Sequence, residues 1–211
     1  MHNFFVKSHG LGNDYIILNQ YEIGFELTPK AIQKICDVHY GIGSDGILLK
    51  VPSYKANFGL RILNPDGSEA EKSGNGLRIF AKYLYDSKFS KEKIFTIETP
   101  GGVVRAEITE EVKKKAKTVK VDMGKANFIS AEIPVNCVNV ECMDETLNLE
   151  YKDYIINCVS VGNPHCIIIK DELDEKEIRQ FGTYIENHPM FPNRINVQFA
   201  KVISPTEVEV L

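Results

Sequence analysis

The sequence has no C-x-x-C pair, and its five cysteines, at positions 36, 137, 142, 158 and 166, follow neither a disulfide framework nor zinc-ligand spacing. A reducing cytoplasm is therefore expected. No apolar stretch approaches ~18 residues, and the start, Met1-His2-Asn3-Phe4-Phe5, lacks the charged lead, apolar core and cleavage site of a signal peptide. Membrane insertion and secretion are both left without support. Positive charge is not in excess either: a net charge of -4 and a pI near 5.8 offer no broad basic surface for nucleic acid or an anionic membrane. Hydrolase readings also lack support, since there is no Ser-His-Asp order, nucleophile elbow or H-E-x-x-H run. What is present is a 211-residue chain, 43% hydrophobic and 26% charged, which suits a soluble globular protein of one large or two small domains. A small-molecule partner fits this balance best.

Short β-rich runs recur between turn signals: 15–18, 46–51, 58–63, 94–98, 103–108, 119–123 and 166–169. Three segments read as helices. Thr28 can cap the first with Pro29 at its first position, Leu77, Phe80, Ala81 and Leu84 stripe the second, and residues 173–187 suggest the third. The mixture predicts an α+β fold. The charged run Glu110-Glu111-Val112-Lys113-Lys114-Lys115 lies between two β-like runs and reads as a solvated hairpin turn. A soft domain boundary is placed there, giving domains 1–113 and 114–211.

A weak internal repeat joins the halves, because Gly12-Asn13, a β run and a helix are echoed by Gly162-Asn163, Cys166 to Ile169 and the helix from Leu173. Asn13 to Asp45 spans 32 positions, Asn163 to Asn196 spans 33, and Asp45 to Ser73 spans 28. The same spacing from Asn196 runs past Leu211. On this reading the second domain is incomplete, lacking its counterpart of the helix after Ser73.

Gly41-Ile42-Gly43-Ser44-Asp45-Gly46 satisfies G-x-G-x-x-G, but a dinucleotide fingerprint needs a strand before it and a helix after it. Here the order is reversed, so a helix-to-strand connection is expected. The segment from Asn64 to Gly76 ends where the Leu77 helix begins. A glycine-flanked helix start leaves bare N–H groups open to a carboxylate or developing anion. The same pattern fits a serine N-cap on a structural helix. Gly162-Asn163-Pro164-His165 stands where a turn is needed, and its imidazole could take a proton or tune a neighbouring acid. His39 is read as structural, a cation at a helix C-terminus. Cys36, Cys137, Cys142 and Cys158 are read as inert core residues, and Cys166 similarly.

Taken together, His9-Gly10-Leu11-Gly12-Asn13-Asp14-Tyr15, Gly41 to Asp45, Asn64 to Gly76, Gly162 to His165 and Asn196-Val197 resemble the diaminopimelate epimerase family, in order and at similar separations, over essentially the whole chain. That resemblance implies two similar domains, each a strongly curved, mostly antiparallel sheet around a central helix, with the substrate between them. It implies an isomerase that interconverts LL- and meso-diaminopimelate in lysine biosynthesis without a cofactor, in the cytoplasm and as a homodimer. Two cysteines serve that family as base and acid on opposite sides of the α-carbon, a role that suits a thiol pKa of roughly 8.5. The family's substrate contacts fall on Asn13, Asn64, Gly74, Asn75, Asn163 and Asn196, and His165 matches a histidine that tunes the thiol pair. Asparagines suit the ammonium and carboxylate ends of an amino acid because each both donates and accepts.

Three departures stand out. Ser73 occupies the place of the first catalytic cysteine, and a hydroxyl is a much poorer base than a thiolate unless activated. The Glu-Arg-Gly segment and the Cys-Gly-Thr motif with the second cysteine are expected just past Leu211. Gly46 stands where some members carry a substrate-contacting glutamine. Two other readings follow from these departures: an epimerase or dehydratase of another amino acid, hydroxyproline-like, that uses Ser73, and a non-catalytic amino-acid-binding protein.

Overall fold

The computed structural model describes residues 3–211. Its contacts divide the chain into two compact units, the first ending at Gly124 and the second running Lys125–Leu211.

In the first unit, β1 (Val6–Gly10), β2 (Asn13–Asn19), β3 (Ile47–Val51), β4 (Phe58–Leu63), β6 (Ile94–Thr99), β7 (Gly102–Val112) and β8 (Lys115–Asp122) form one sheet in that order, with the short β5 (Glu69–Ala70) beside β4. Among the described residues of this unit only β2–β3 and β4–β6 pair in parallel. The apolar run at 15–18 is explained by burial of both faces of β2. Ile16 and Leu18 join Ile47, Leu49 and Leu63 beneath α1 (Pro29–Cys36), while Tyr15 and Ile17 join Leu48 and Ile62 beneath α2 (Gly74–Asp86). Helix α1 starts as its sequence predicts: the Thr28 hydroxyl accepts from the Ala31 N–H at 3.2 Å and Pro29 fills the first position. Helix α2 buries Leu77, Ile79, Phe80, Ala81, Tyr83 and Leu84 and packs on β1, β2, β7 and β8.

The G-x-G-x-x-G stretch is a helix-to-strand connection, as its order requires. Ile42 and Gly43 both donate to the Ile35 carbonyl, and Ser44 donates to Cys36, closing the end of α1 before β3. A Cβ at Gly41 would lie 2.1 Å from the Lys34 carbonyl oxygen, so only glycine passes there. His39 lies beyond the helix. It donates its N–H, with Tyr40, to the Asp37 carboxylate at 2.8 and 2.7 Å, and these two bonds hold Asp37 below the usual carboxylate range. The expected helix-dipole role of His39 is thereby corrected.

The boundary expected at 113/114 is also corrected. Lys113 and Lys114 are the turn of the β7–β8 hairpin, both at positive φ as a two-residue I′ turn demands, and Lys115 pairs with Val112. A hairpin turn binds its strands into one sheet, so the division falls further on, after β8.

The second unit is a five-stranded sheet in the order β13–β12–β11–β10–β9, built from β9 (Glu145–Asn148), β10 (Asp153–Ser160), β11 (Pro164–Ile169), β12 (Asn196–Ser204) and β13 (Glu207–Val210). Only β11–β12 is parallel. Helix α3 (Glu175–Glu186), capped by Asp174, makes that crossover as α1 does between β2 and β3. The repeat read from the sequence is therefore a repeat of topology. Tyr154, Ile156, Cys158, Cys166, Ile168, Ile185 and Phe199 form the core on the α3 side. Both units are α+β with mostly antiparallel pairing. Among the described residues no helix is long and apolar enough to cross a membrane.

Candidate active site

The strongest chemical feature of the first unit is the start of α2. Ser73 is its N-cap, extended at φ -144° and ψ 116°, and its Oγ accepts from the Gly76 N–H at 3.0 Å while its carbonyl accepts from Leu77 N–H. Among the described residues no acceptor meets the N–H of Gly74 or Asn75. These two donors, with the positive end of the helix, suit a carboxylate. Gly74 leaves open space, since an added Cβ would meet nothing nearer than Arg78 Nη1 at 3.7 Å. Arg78 donates to Asn75 Oδ1, which leaves the Asn75 amide hydrogens as further donors.

The other two candidate asparagines of this unit have the opposite polarity. Asn13 donates Nδ2 to Asp45 Oδ2 at 3.2 Å, and Asn64, at the end of β4, donates Nδ2 to the Ser68 hydroxyl at 2.9 Å. Each keeps its Oδ1 as an acceptor suited to an ammonium group. Asp45 also accepts the Asp14 N–H at 2.8 Å, and Lys7 pairs with Asp14 at 3.1 Å. Asp45, Arg78 and Tyr15 went unnoticed as site residues in the sequence. The first two act only on neighbours, and Tyr15 looked like one more residue of an apolar strand.

In the second unit His165 lies on β11 between two amides, Nδ1 3.1 Å from Gln198 Oε1 and Nε2 3.1 Å from Asn163 Oδ1. An imidazole so flanked finds partners in either tautomer, because an amide can present oxygen or N–H. Asn196 is the register partner of His165 and donates Nδ2 to the Pro164 carbonyl at 2.9 Å, leaving Oδ1 outward. Gly162, at φ +101°, makes the turn into this cluster. Asn163, His165 and Asn196 thus come together at one end of β11 and β12, while Asn13, Asn64, Ser73, Gly74 and Asn75 belong to the first unit.

The cysteines lie elsewhere. Cys158 and Cys166 face each other across β10 and β11, and Cys158 donates its N–H to the Cys142 carbonyl at 2.8 Å. All three are buried. The hydrogen bond with Cys158, then burial, pushes the Cys142 thiol up. For Cys158 the largest single effect, the hydrogen bond with Cys142, lowers the thiol, but the bond with Cys166 and burial together raise it on balance. Thiols so placed are poor nucleophiles. Among the described residues no group of three or more His, Cys, Asp or Glu could hold a metal ion.

The fold is similar to that of a probable proline racemase from Agrobacterium radiobacter, with a TM-score of 0.72 over 98% of this chain and 68% of that chain. A hydroxyproline epimerase from Agrobacterium vitis gives 0.71 over the same shares. At 15% and 14% identity these likenesses establish the fold. The family model for diaminopimelate epimerase matches residues 5–129. Diaminopimelate epimerase 2 of a Nostoc species is 48% identical over 207 residues, 98% of this chain and 71% of that protein. The diaminopimelate epimerase of Acetivibrio thermocellus is 40% identical over 205 residues, covering 97% and 73%. This chain belongs to the diaminopimelate epimerase family and is by class an isomerase.

Proposed function

We propose that the protein inverts the α-carbon of an amino acid of the diaminopimelate kind, interconverting the LL and meso forms by proton transfer without a cofactor. The observation that carries this reading is Ser73 at the glycine-flanked start of α2, beside two unused backbone N–H groups and the Asn75 amide. A carboxylate held there puts its α-carbon within reach of the serine hydroxyl, and the helix end neutralises the charge that builds on the carboxylate as the α-proton leaves. Asn13, Asn64, Asn163 and Asn196 fit the ammonium and carboxylate groups by their free oxygens and amide hydrogens. His165 is proposed to tune a neighbouring acid/base group. The proposed setting is lysine biosynthesis in the cytoplasm.

The names of the sequence relatives favour diaminopimelate over hydroxyproline, since the two structural neighbours are too distant in sequence to carry a substrate. Chiral chromatography of LL-diaminopimelate incubated with the full gene product tests the reading. Appearance of the meso isomer is expected, with Ser73→Ala slower by about 10²–10⁴-fold, the usual contribution of a positioned acid or base. No conversion by the unmodified protein would overturn it.

A further inference from the structure

Ser73 has a second partner besides Gly76. Tyr15, on the face of β2 that lies under α2, directs its hydroxyl at Ser73 Oγ from 3.4 Å, at the long end of hydrogen-bonding range. This tyrosine is 7% exposed. Burial above all, and the nearby Asp45 carboxylate, hold its phenol above the ordinary tyrosine range, against the opposing effect of the Ser73 contact. It is neutral at physiological pH and has a proton to give. Its ring is seated by Gly46: a Cβ there would stand 2.9 Å from Tyr15 Cε1 and 2.6 Å from the Leu63 carbonyl oxygen. Glycine at this position, where some family members carry a glutamine, thus spares both the Leu63 carbonyl and the tyrosine ring.

We propose that Tyr15 is a positioning residue for Ser73, donating its hydroxyl proton to Oγ so that the serine's own proton points away from the helix and is delivered to the substrate's α-carbon. A hydroxyl oxygen has two lone pairs and one proton. The Gly76 N–H and the Tyr15 O–H take both lone pairs, so Ser73 is set to give its proton in one direction, and in the reverse direction the same two donors stabilise Oγ as the alkoxide that takes the α-proton back. In that step the Oγ–H bond breaks as the Cα–H bond forms on a carbanion whose α-proton has passed to a thiolate, the base that the family resemblance implies. The electron pair stays on Oγ, stabilised by the two donors and the helix end, until water returns a proton. Hydrogen bonds to a charged oxygen shorten and strengthen, so the 3.4 Å contact tightens as the charge develops.

The internal repeat supplies an independent parallel. Gly12-Asn13-Asp14-Tyr15 and Gly162-Asn163-Pro164-His165 occupy the same place in their units, each leading into the strand before the crossover helix. Tyr15 and His165 both lie on the sheet face turned away from that helix. Each unit therefore puts one polar aromatic side chain at the same point.

This inference rests on the functional reading of Ser73, yet its test needs no turnover. Ser73→Cys puts a titratable thiol in place of the hydroxyl, and its alkylation by iodoacetamide, followed by mass spectrometry across pH, reports the thiolate pKa. Peptide mapping separates this thiol from the native cysteines, of which Cys36, Cys142, Cys158 and Cys166 are buried. Adding Tyr15→Phe should raise the pKa of the introduced thiol by about one unit, the size of a lost hydrogen bond to the charged form. Should the phenylalanine variant fail to fold, 3-fluorotyrosine at position 15, a stronger donor, should lower the same pKa. An unchanged thiol pKa would overturn the inference. A shifted pKa in a protein that never inverts diaminopimelate would uphold the positioning and sink the functional reading instead.

Discussion

Asn13 donates its amide hydrogen to Asp45 across 32 residues of sequence, at 3.2 Å, and this one bond decides which end of the Asn13 amide is left for a ligand. Asp45 takes the nitrogen, so the oxygen remains. In Asp45→Asn the acceptor pair is broken, because one end of the new amide is itself a donor. Stability should fall by about 1 kcal/mol, or roughly 2–4 °C in melting temperature, and affinity for diaminopimelate about tenfold. Scanning calorimetry and titration calorimetry would check the two effects separately. No change in affinity would mean that Asn13 does not meet the ligand.

Gly46→Ala brings a methyl group against the Leu63 carbonyl and the Tyr15 ring. Overpacking of this kind costs about 1–3 kcal/mol, read as a lower urea midpoint with an unchanged slope. It should also displace Tyr15 from Ser73. A variant of unchanged stability would show that the ring has room to move.

Glu177 on α3 accepts from Lys152, from Lys170 at 3.0 Å and from the Tyr154 hydroxyl at 3.1 Å. Its burial works to raise the carboxyl pKa, but these three donors together win and hold it below the ordinary value. A lowered carboxylate pKa stabilises the fold above the unfolded value of about 4.3 and loses that contribution as pH falls from there through the folded value. Unfolding followed from pH 7 to pH 3 should therefore show weakening below about 4.3, and Glu177→Gln should flatten that limb while costing about 1.5–3 kcal/mol at neutral pH. An acid limb of the same slope in the variant would assign the weakening to other groups.

The thiols of the second unit give a chemical check on burial. Cys142, Cys158 and Cys166 should stay unmodified by Ellman's reagent in the native protein and react once it is unfolded, with Cys137, half-buried, reacting slowly before them. Rapid native labelling of the three would contradict the packing between β10 and β11.

Much of this arrangement is local and so was legible in the sequence. The Thr28-Pro29 start of α1, the Leu77 stripe of α2 and the strand at 58–63 each follow from residues within one turn or one pleat. The reversed order around Gly41 to Gly46 was enough to reject a nucleotide loop. The run at 110–115 was rightly read as a hairpin turn, but the boundary placed on it was wrong, because a hairpin joins its two strands in one sheet and the division falls after Gly124. His39 was assigned to a helix that in fact ends at Cys36. The partners of the site residues were out of reach for another reason: Tyr15 and Ser73 are 58 positions apart, and Asn13 and Asp45 meet only once β2 and β3 pair. Periodicity marks which face a side chain is on, not which polar atom it meets there.

The most direct test of the functional account follows the α-proton of LL-diaminopimelate by proton NMR in heavy water, with the full gene product and its Ser73→Ala variant side by side. The account predicts that the unmodified protein exchanges the α-proton for deuterium with inversion, and that the alanine variant does so about 10²–10⁴-fold more slowly. A persistent α-proton signal with the unmodified protein, or equal exchange by both, would contradict it.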